Sequence, residues 1–188
     1  MPRIGKKLAL LRAHGYRAEK LTDLIQNDSG TDTIVYTSRA FQPGGERFGE
    51  RVAFVGPVLP ELPAPAERGN RPLIYVSLGT VMNRNARFYR NCAEALGGGP
   101  WDVLMSVGSG EQAAALGALP PNVRAEARVD QLRVLQAAHL FVTHCGMNSA
   151  SEGLWQGVPM VLSPQQSEER MVARRAAELG AGLLLKRS

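Results

Sequence analysis

Apolar positions change their spacing along the chain. Over residues 1–25, Leu8, Leu11, Leu21, Leu24 and Ile25 recur at helical intervals and predict one amphipathic helix, which Asn27, Asp28, Ser29 and Gly30 end as turn residues. Two short runs, 33–37 and 52–57, read as strands on either side of Pro43, Gly44 and Gly45. Between 59 and 72 the composition shifts to LPELPAPAERGNRP, where repeated prolines hold the backbone extended and leave little to pack; this reads as a linker.

Beyond the linker, strand and helix signals alternate. Strands are predicted over 73–77, 103–107, 123–127, 140–143, 160–163 and 182–185, with helices over 86–96, 131–138, 149–156 and 168–179. Several of these strands are apolar without a break, as expected where helices cover both faces of a sheet. The class is α/β, a Rossmann-like doubly wound parallel sheet. Ligands of such sheets sit at the carboxyl ends of the strands, so the loops after Ser77, Val107, Thr143 and Ser163 are the places to seek chemistry.

At 188 residues the chain is long enough for one good core and too short for two full α/β domains. With 44% hydrophobic and 21% charged residues it is globular rather than disordered or fibrous. No apolar run is long enough to cross a bilayer and the basic start lacks a cleavable apolar leader, so stable membrane insertion is not expected and the location is expected to be cytoplasmic. Cys92 and Cys145 are expected to be free thiols, and no Cys/His spacing suggests a metal site. The net charge of +5 admits a polyanionic partner, but acidic residues interrupt the Lys and Arg, so a solvated surface is the simpler reading and nucleic acid is not expected.

The most informative stretch is THCGMNSASEG, 143–153. A strand ends, glycine lets the backbone approach a ligand, and a helix starts among small polar residues; its free N–H groups and positive dipole end suit a diphosphate. His144, Asn148 and Ser149 can add hydrogen bonds. Ser149 and Glu152 also fit a capping box that merely starts the helix. A competing signal, Gly108-Ser109-Gly110-Glu111-Gln112-Ala113 with Asp130 downstream, fits a dinucleotide fingerprint and so an NAD-linked oxidoreductase, although Gly117 and Pro120-Pro121 cut the following helix and a loop is the better use of those glycines. Thr80, after the first strand of the domain, could touch phosphate. Glu168 and Glu169 open the last helix, where the dipole favours carboxylates with or without a ligand.

The blocks PLIYVSLGT, RVDQLRVLQAAHLFV and THCGMNSASEGLWQGVPMVLSPQ together resemble the nucleotide-sugar-binding half of the inverting, UDP-dependent glycosyltransferases of the GT-B fold, most of all the macrolide and related natural-product enzymes. YTSRAFQPGGERFGERVAFVGPVLP looks like the end of that family's N-terminal domain. The resemblance implies that 1–58 is the tail of an acceptor domain, 59–72 the linker and 73–188 the donor-binding domain, cut short at its end and missing most of its N-terminal partner. His144 would contact the diphosphate, Gly146, Asn148 and Ser149 would hold it at the helix start, and Glu152 would bind the ribose hydroxyls. Thr80 would approach the phosphates, Val129 would meet uracil through its backbone with Gln131 following, and Glu168 and Glu169 would face the donor sugar.

Three departures from the family pattern matter. Arg128 stands where relatives usually stack an aromatic ring on the base. Glu168-Glu169 replaces an acid followed by glutamine. The family's general base, an early histidine oriented by an aspartate, has no counterpart: His14 lies in a basic helix, His139 in a helix-to-strand turn, and no residue is assigned as catalytic. The resemblance thus implies hexosyl transfer from a UDP-sugar, as substrate rather than cofactor, to a hydroxyl of a small lipophilic acceptor, with this chain holding the leaving-group side. The alternative is a non-catalytic nucleotide-sugar-binding module or auxiliary subunit.

Overall fold

The computed structural model describes residues 2–16, 32–62, 69–81 and 83–185. The chain divides into two units, Met1–Gly56 and Pro57–Ser188.

In the first unit, helix α1 runs over Pro2–Ala13 and ends before Gly15, which takes φ +85°. The helix expected over 1–25 is therefore shorter at its described end, because His14 turns its Nδ1 back to within 2.8 Å of the Leu10 carbonyl and Gly15 leaves the helical region. Leu21, Leu24, Ile25 and the turn at 27–30 lie outside the described residues. Strands β1, Thr33–Val35, and β2, Val52–Phe54, pair in parallel. The segment joining them is organised by Arg39, whose guanidinium donates to the carbonyls of Gly45 (2.8 Å), Phe48 (2.9 Å) and Val52 (3.2 Å) and lies 4.6 Å from the centre of the Phe54 ring.

The second unit is a six-stranded, wholly parallel sheet built from β3 (Leu73–Ser77), β4 (Asp102–Ser106), β5 (Val123–Glu126), β6 (Ala138–Thr143), β7 (Met160–Leu162) and β8 (Gly182–Leu184), in the order β5-β4-β3-β6-β7-β8. Five helices connect them: α2 (Ala86–Leu96), α3 (Gly110–Ala115), α4 (Gln131–Ala137), α5 (Met147–Trp155) and α6 (Ser167–Glu178). Helix α2 packs on β4 and α3 on β5, while α4 packs on β3 and β6, α5 on β6 and α6 on β8. Each start has a local cause. Asn85 accepts from Phe88 N–H (3.0 Å) to cap α2, and Asp130 accepts from Arg133 N–H (3.3 Å) to cap α4. Ile74 and Val76 of β3, Val103 and Met105 of β4 and Val107 just beyond it pack with Tyr89 of α2 in one core cluster.

Strand direction reverses its order of addition between β3 and β6, the two central neighbours. Their register sets Ser77 beside Thr143, with Ser106 of β4 on the other flank. The carboxyl ends of the first and fourth strands of the unit therefore open side by side, which is where a doubly wound sheet leaves its crevice.

Three local expectations are corrected. Helix α3, expected as loop, forms because the Ser109 hydroxyl accepts from Gln112 N–H at 3.2 Å. His139 lies inside β6 rather than in a turn, its Nδ1 accepting from Leu73 N–H at 3.2 Å. Helix α5 begins at Met147, two residues before the expected 149. No helix among the described residues is long and apolar enough to cross a membrane.

Candidate nucleotide-binding site

A cavity of about 640 Å³ opens at the carboxyl ends of β3, β4 and β6, within the range usual for small-molecule sites. Its floor carries Tyr75, Ser77 and Ser106; one wall is the start of α5 with His144, Gly146, Met147, Asn148, Ser149 and Glu152. Thr80, Arg128, Val129, Gln131 and Glu168 also lie around it, which leaves Glu169 as the one residue of the expected set that does not line it.

The α5 wall follows from its backbone. Thr143 ends β6, and its hydroxyl accepts from Cys145 N–H at 3.1 Å. Cys145 takes φ +67°, the one non-glycine residue with positive φ among those described, and Gly146 then becomes the N-cap of α5. An L-residue in that region stores backbone strain, a condition common at ligand sites. Glycine as N-cap has no side chain to satisfy the helix start, so the first amides of α5, at Met147, Asn148 and Ser149, are left for a ligand. The capping-box reading of Ser149 and Glu152 is thereby corrected. Ser149 already lies in the first turn, and the Glu152 carboxylate reaches Gln131 Nε2 at 2.5 Å instead of closing on the helix start.

His144 is held between two glycines. A Cβ on Gly79 would lie 2.5 Å from His144 Cε1, and one on Gly146 would lie 2.6 Å from Nε2, so any side chain at either position would collide with the ring. The His144 amide donates to the Ser77 carbonyl at 3.3 Å. Its Nδ1 is enclosed without a hydrogen-bond partner, the one such side-chain atom among the described residues, and an orphaned buried polar atom marks a place where a further group fits.

Burial pulls the His144 pKa below its usual 6.5 and favours the neutral ring, only partly opposed by the charge of Glu169 and by the Ser77 carbonyl, an acceptor beside the ring. Between the unfolded and the folded value the unfolded chain binds more protons, so this histidine's contribution to stability is full above about pH 6.5 and is lost as pH falls through the folded value. The melting-temperature gap between wild type and His144→Gln is therefore expected to move against wild type from pH 7.5 to pH 5. A gap that stays constant over that span would contradict the burial argument.

Ribose-sized polar chemistry lies deeper. Gln131 donates to Glu152 Oε2 and to Ser149 Oγ (3.2 Å), while Tyr75 O–H donates to Gln131 Oε1 at 3.1 Å. Arg128 is exposed at the mouth, and Val129 is half-buried beside it. Thr80 and Asn148 are exposed on the rim.

The two glutamates at the start of α6 part company. Glu168 lies on the cavity and is exposed. Glu169 is 7% exposed, and its Oε2 accepts from the amides of Gln165 (2.6 Å) and Gln166 (3.0 Å), so its carboxylate closes the helix start rather than lining the cavity.

The dinucleotide fingerprint has other uses. Gly108, at φ +91°, makes room for the Asn83 amide, and Gln112 ties this loop down by donating to the carbonyls of Asn83 and Val107, both at 2.7 Å. Asp130 caps α4 and is not on the cavity. Both cysteines are free, and burial raises Cys92 to about 11 and Cys145 to about 12, which leaves them protonated and unreactive at neutral pH. Among the described residues no group of three or more His, Cys, Asp or Glu could hold a metal ion.

Sequence reasoning missed Tyr75, Gly79, Asn83 and Ser106 at the cavity. The signal for Tyr75 was present, since a hydroxyl in an otherwise aliphatic central strand must find a partner.

A strand order that reverses at its centre, with an uncapped helix start and an adjacent carboxylate, marks this crevice as the candidate ligand site of a doubly wound α/β domain. Comparison with known proteins sharpens this. Residues 101–188 match the family described as erythromycin biosynthesis protein CIII-like, C-terminal domain. The chain is 45% identical over 156 residues to the NDP-glycosyltransferase YjiC of Bacillus licheniformis, a match covering 79% of this chain and 39% of that protein. To the demethyllactenocin mycarosyltransferase of Streptomyces fradiae it is 38% identical over 177 residues, covering 92% of this chain and 38% of that one. The crystal structure of the calicheamicin glycosyltransferase CalG4 superposes with a TM-score of 0.78 at 37% identity, over 96% of this chain and 46% of that one. The glycosyltransferase VinC, solved in complex with DTDP, does so with a TM-score of 0.54 at 32% identity, over 70% of this chain and 33% of that one. Residues 101–188 are thus similar to the EryCIII-like C-terminal domain, and along most of its length the chain resembles proteins named as glycosyltransferases. It spans less than half the length of each of these relatives.

Proposed function

We propose that this chain forms the donor-binding part of an inverting, UDP-sugar-dependent glycosyltransferase that moves a hexosyl group to a hydroxyl of a small lipophilic acceptor. The observation that carries the reading is the uncapped start of α5 beside the clamped, orphaned imidazole of His144. In an inverting displacement the acceptor oxygen attacks the anomeric carbon as the bond to the diphosphate breaks, and negative charge grows on the departing nucleotide. Amides of Met147, Asn148 and Ser149 with His144 would face that charge from fixed positions, at no cost of reorganisation. Glu152 would receive the ribose hydroxyls, Arg128 would lie flat on the base, with the Val129 backbone beside it, and Glu168 would face the sugar. The base that deprotonates the acceptor is assigned to no residue of this chain.

Calorimetric titration tests this. UDP is expected to bind with micromolar affinity and NAD not at all, and His144→Ala is expected to weaken UDP by about tenfold, the worth of one hydrogen bond to a charged group. Tight NAD binding without UDP binding would replace this reading with a dinucleotide site. Because the relative VinC was solved with DTDP, dTDP is the second nucleotide to titrate, and the ratio of the two affinities reads the base and ribose preference.

A further inference from the structure

Of the side chains that β3 buries in the centre of the sheet, Ile74 and Val76 are aliphatic and Tyr75 is not. A phenol at 1% exposure costs stability unless its hydroxyl is paired. Its ring has little freedom: it stacks on Phe141 with centroids 5.0 Å apart and planes 14° from parallel. The hydroxyl is thus delivered to Oε1 of Gln131 at 3.1 Å, with the side chains of Ser77 and Ser106 also beside it.

The direction of the hydrogen bonds from there is fixed by chemistry. An ionised carboxylate only accepts, so the Gln131 amide must turn its NH₂ toward Glu152, where Nε2 lies 2.5 Å from Oε2 and 3.2 Å from Ser149 Oγ. Oε1 then faces the phenol, and the phenol must donate. Burial raises the phenol pKa, which keeps that proton in place at any working pH. Glu152 Oε1 has no protein partner among the described residues, and Glu152 and Ser149 both line the cavity.

We propose that Tyr75 is a positioning residue for the ribose end of the site: through Gln131 it holds the Glu152 carboxylate and the Ser149 hydroxyl in the orientation that receives the two neighbouring hydroxyls of a ribose. This rests on the reading of the cavity as a nucleoside diphosphate site. Without the phenolic proton, Gln131 Oε1 loses its anchor, the amide can rotate, and the Glu152 oxygen that faces the ligand is no longer fixed. The diphosphate contacts at α5 do not pass through this relay, so the effect is confined to ligands that carry the hydroxyls.

The experiment is a calorimetric titration of wild type and Tyr75→Phe with UDP and with 2′,3′-dideoxy-UDP, alongside thermal melts. Wild type is expected to prefer UDP by at least about tenfold, as hydrogen bonds to a carboxylate imply. Tyr75→Phe keeps the ring stack, and is expected to lose about fivefold in UDP affinity while staying within about twofold for the dideoxy nucleotide. Equal losses for both nucleotides, or none for either, overturn the proposal while leaving the cavity a nucleotide site. If wild type binds neither nucleotide, the underlying reading fails and this one with it. Should Tyr75→Phe not fold, Gln131→Met removes the same relay and is expected to give the same selective loss.

Discussion

Gly146→Ala is expected to leave the chain folded, with a melting temperature within a few degrees of wild type, and to weaken UDP binding about 100-fold, the loss of two charge-assisted hydrogen bonds. The backbone at Gly146 has φ −60° and ψ 146°, a conformation any residue adopts, so the change brings no strain of its own. It brings a collision instead, since the new Cβ would lie 2.6 Å from His144 Nε2 and 3.2 Å from Cε1. The ring cannot retreat, because Gly79 closes its other side at a distance that also leaves no room for a Cβ. Either the imidazole swings into the cavity or the start of α5 shifts away from it, and both outcomes misplace donors that a diphosphate needs within hydrogen-bond reach. Affinity within about threefold of wild type, by calorimetry on a folded protein, would mean that neither the ring nor the helix start touches the ligand.

The second large effect is on stability. Glu169→Ala is expected to cost about 2 kcal/mol of unfolding free energy, because two loop amides lose a charged acceptor in a buried place. The carboxylate is 7% exposed and sits 2.6 Å from the Gln165 nitrogen and 3.0 Å from that of Gln166, so water cannot simply replace it. Its exposed neighbour Glu168 is on the cavity and makes no such bonds, so Glu168→Ala is expected to change stability by no more than about 0.5 kcal/mol. Urea unfolding of the two variants side by side decides the matter. Equal costs would show that the contrast between an inward cap and an outward carboxylate has been misread.

The sheet of the second unit was open to sequence reasoning because its central strands are buried on both faces. Runs such as LIYVS at 73–77 and VLMSV at 103–107 have no polar alternation to confuse them, and the intervening helices carry a clear apolar stripe. The cavity followed from strand order together with one sequence block, 143–153. What stayed hidden was the use made of side chains that suit two jobs. Ser149 and Glu152 have the spacing of a cap and the chemistry of a site, and only the position of Gly146 as N-cap separates the two. Glu168 and Glu169 are adjacent in sequence, but successive residues of a helix point about 100° apart, and that rotation puts one on the cavity and folds the other under the helix start. Helix α3 was hidden because Gly110 opens it and Gly117 follows soon after, and its start rests on a single serine hydroxyl. Tyr75 was read only as one apolar position among five, since periodicity records that a side chain is buried and says nothing of what its far end meets.

Every described residue around the cavity comes from the Pro57–Ser188 unit. A gene rearrangement breaking near codon 57 would therefore carry every described residue that lines this cavity across in one piece, with its mutual geometry intact.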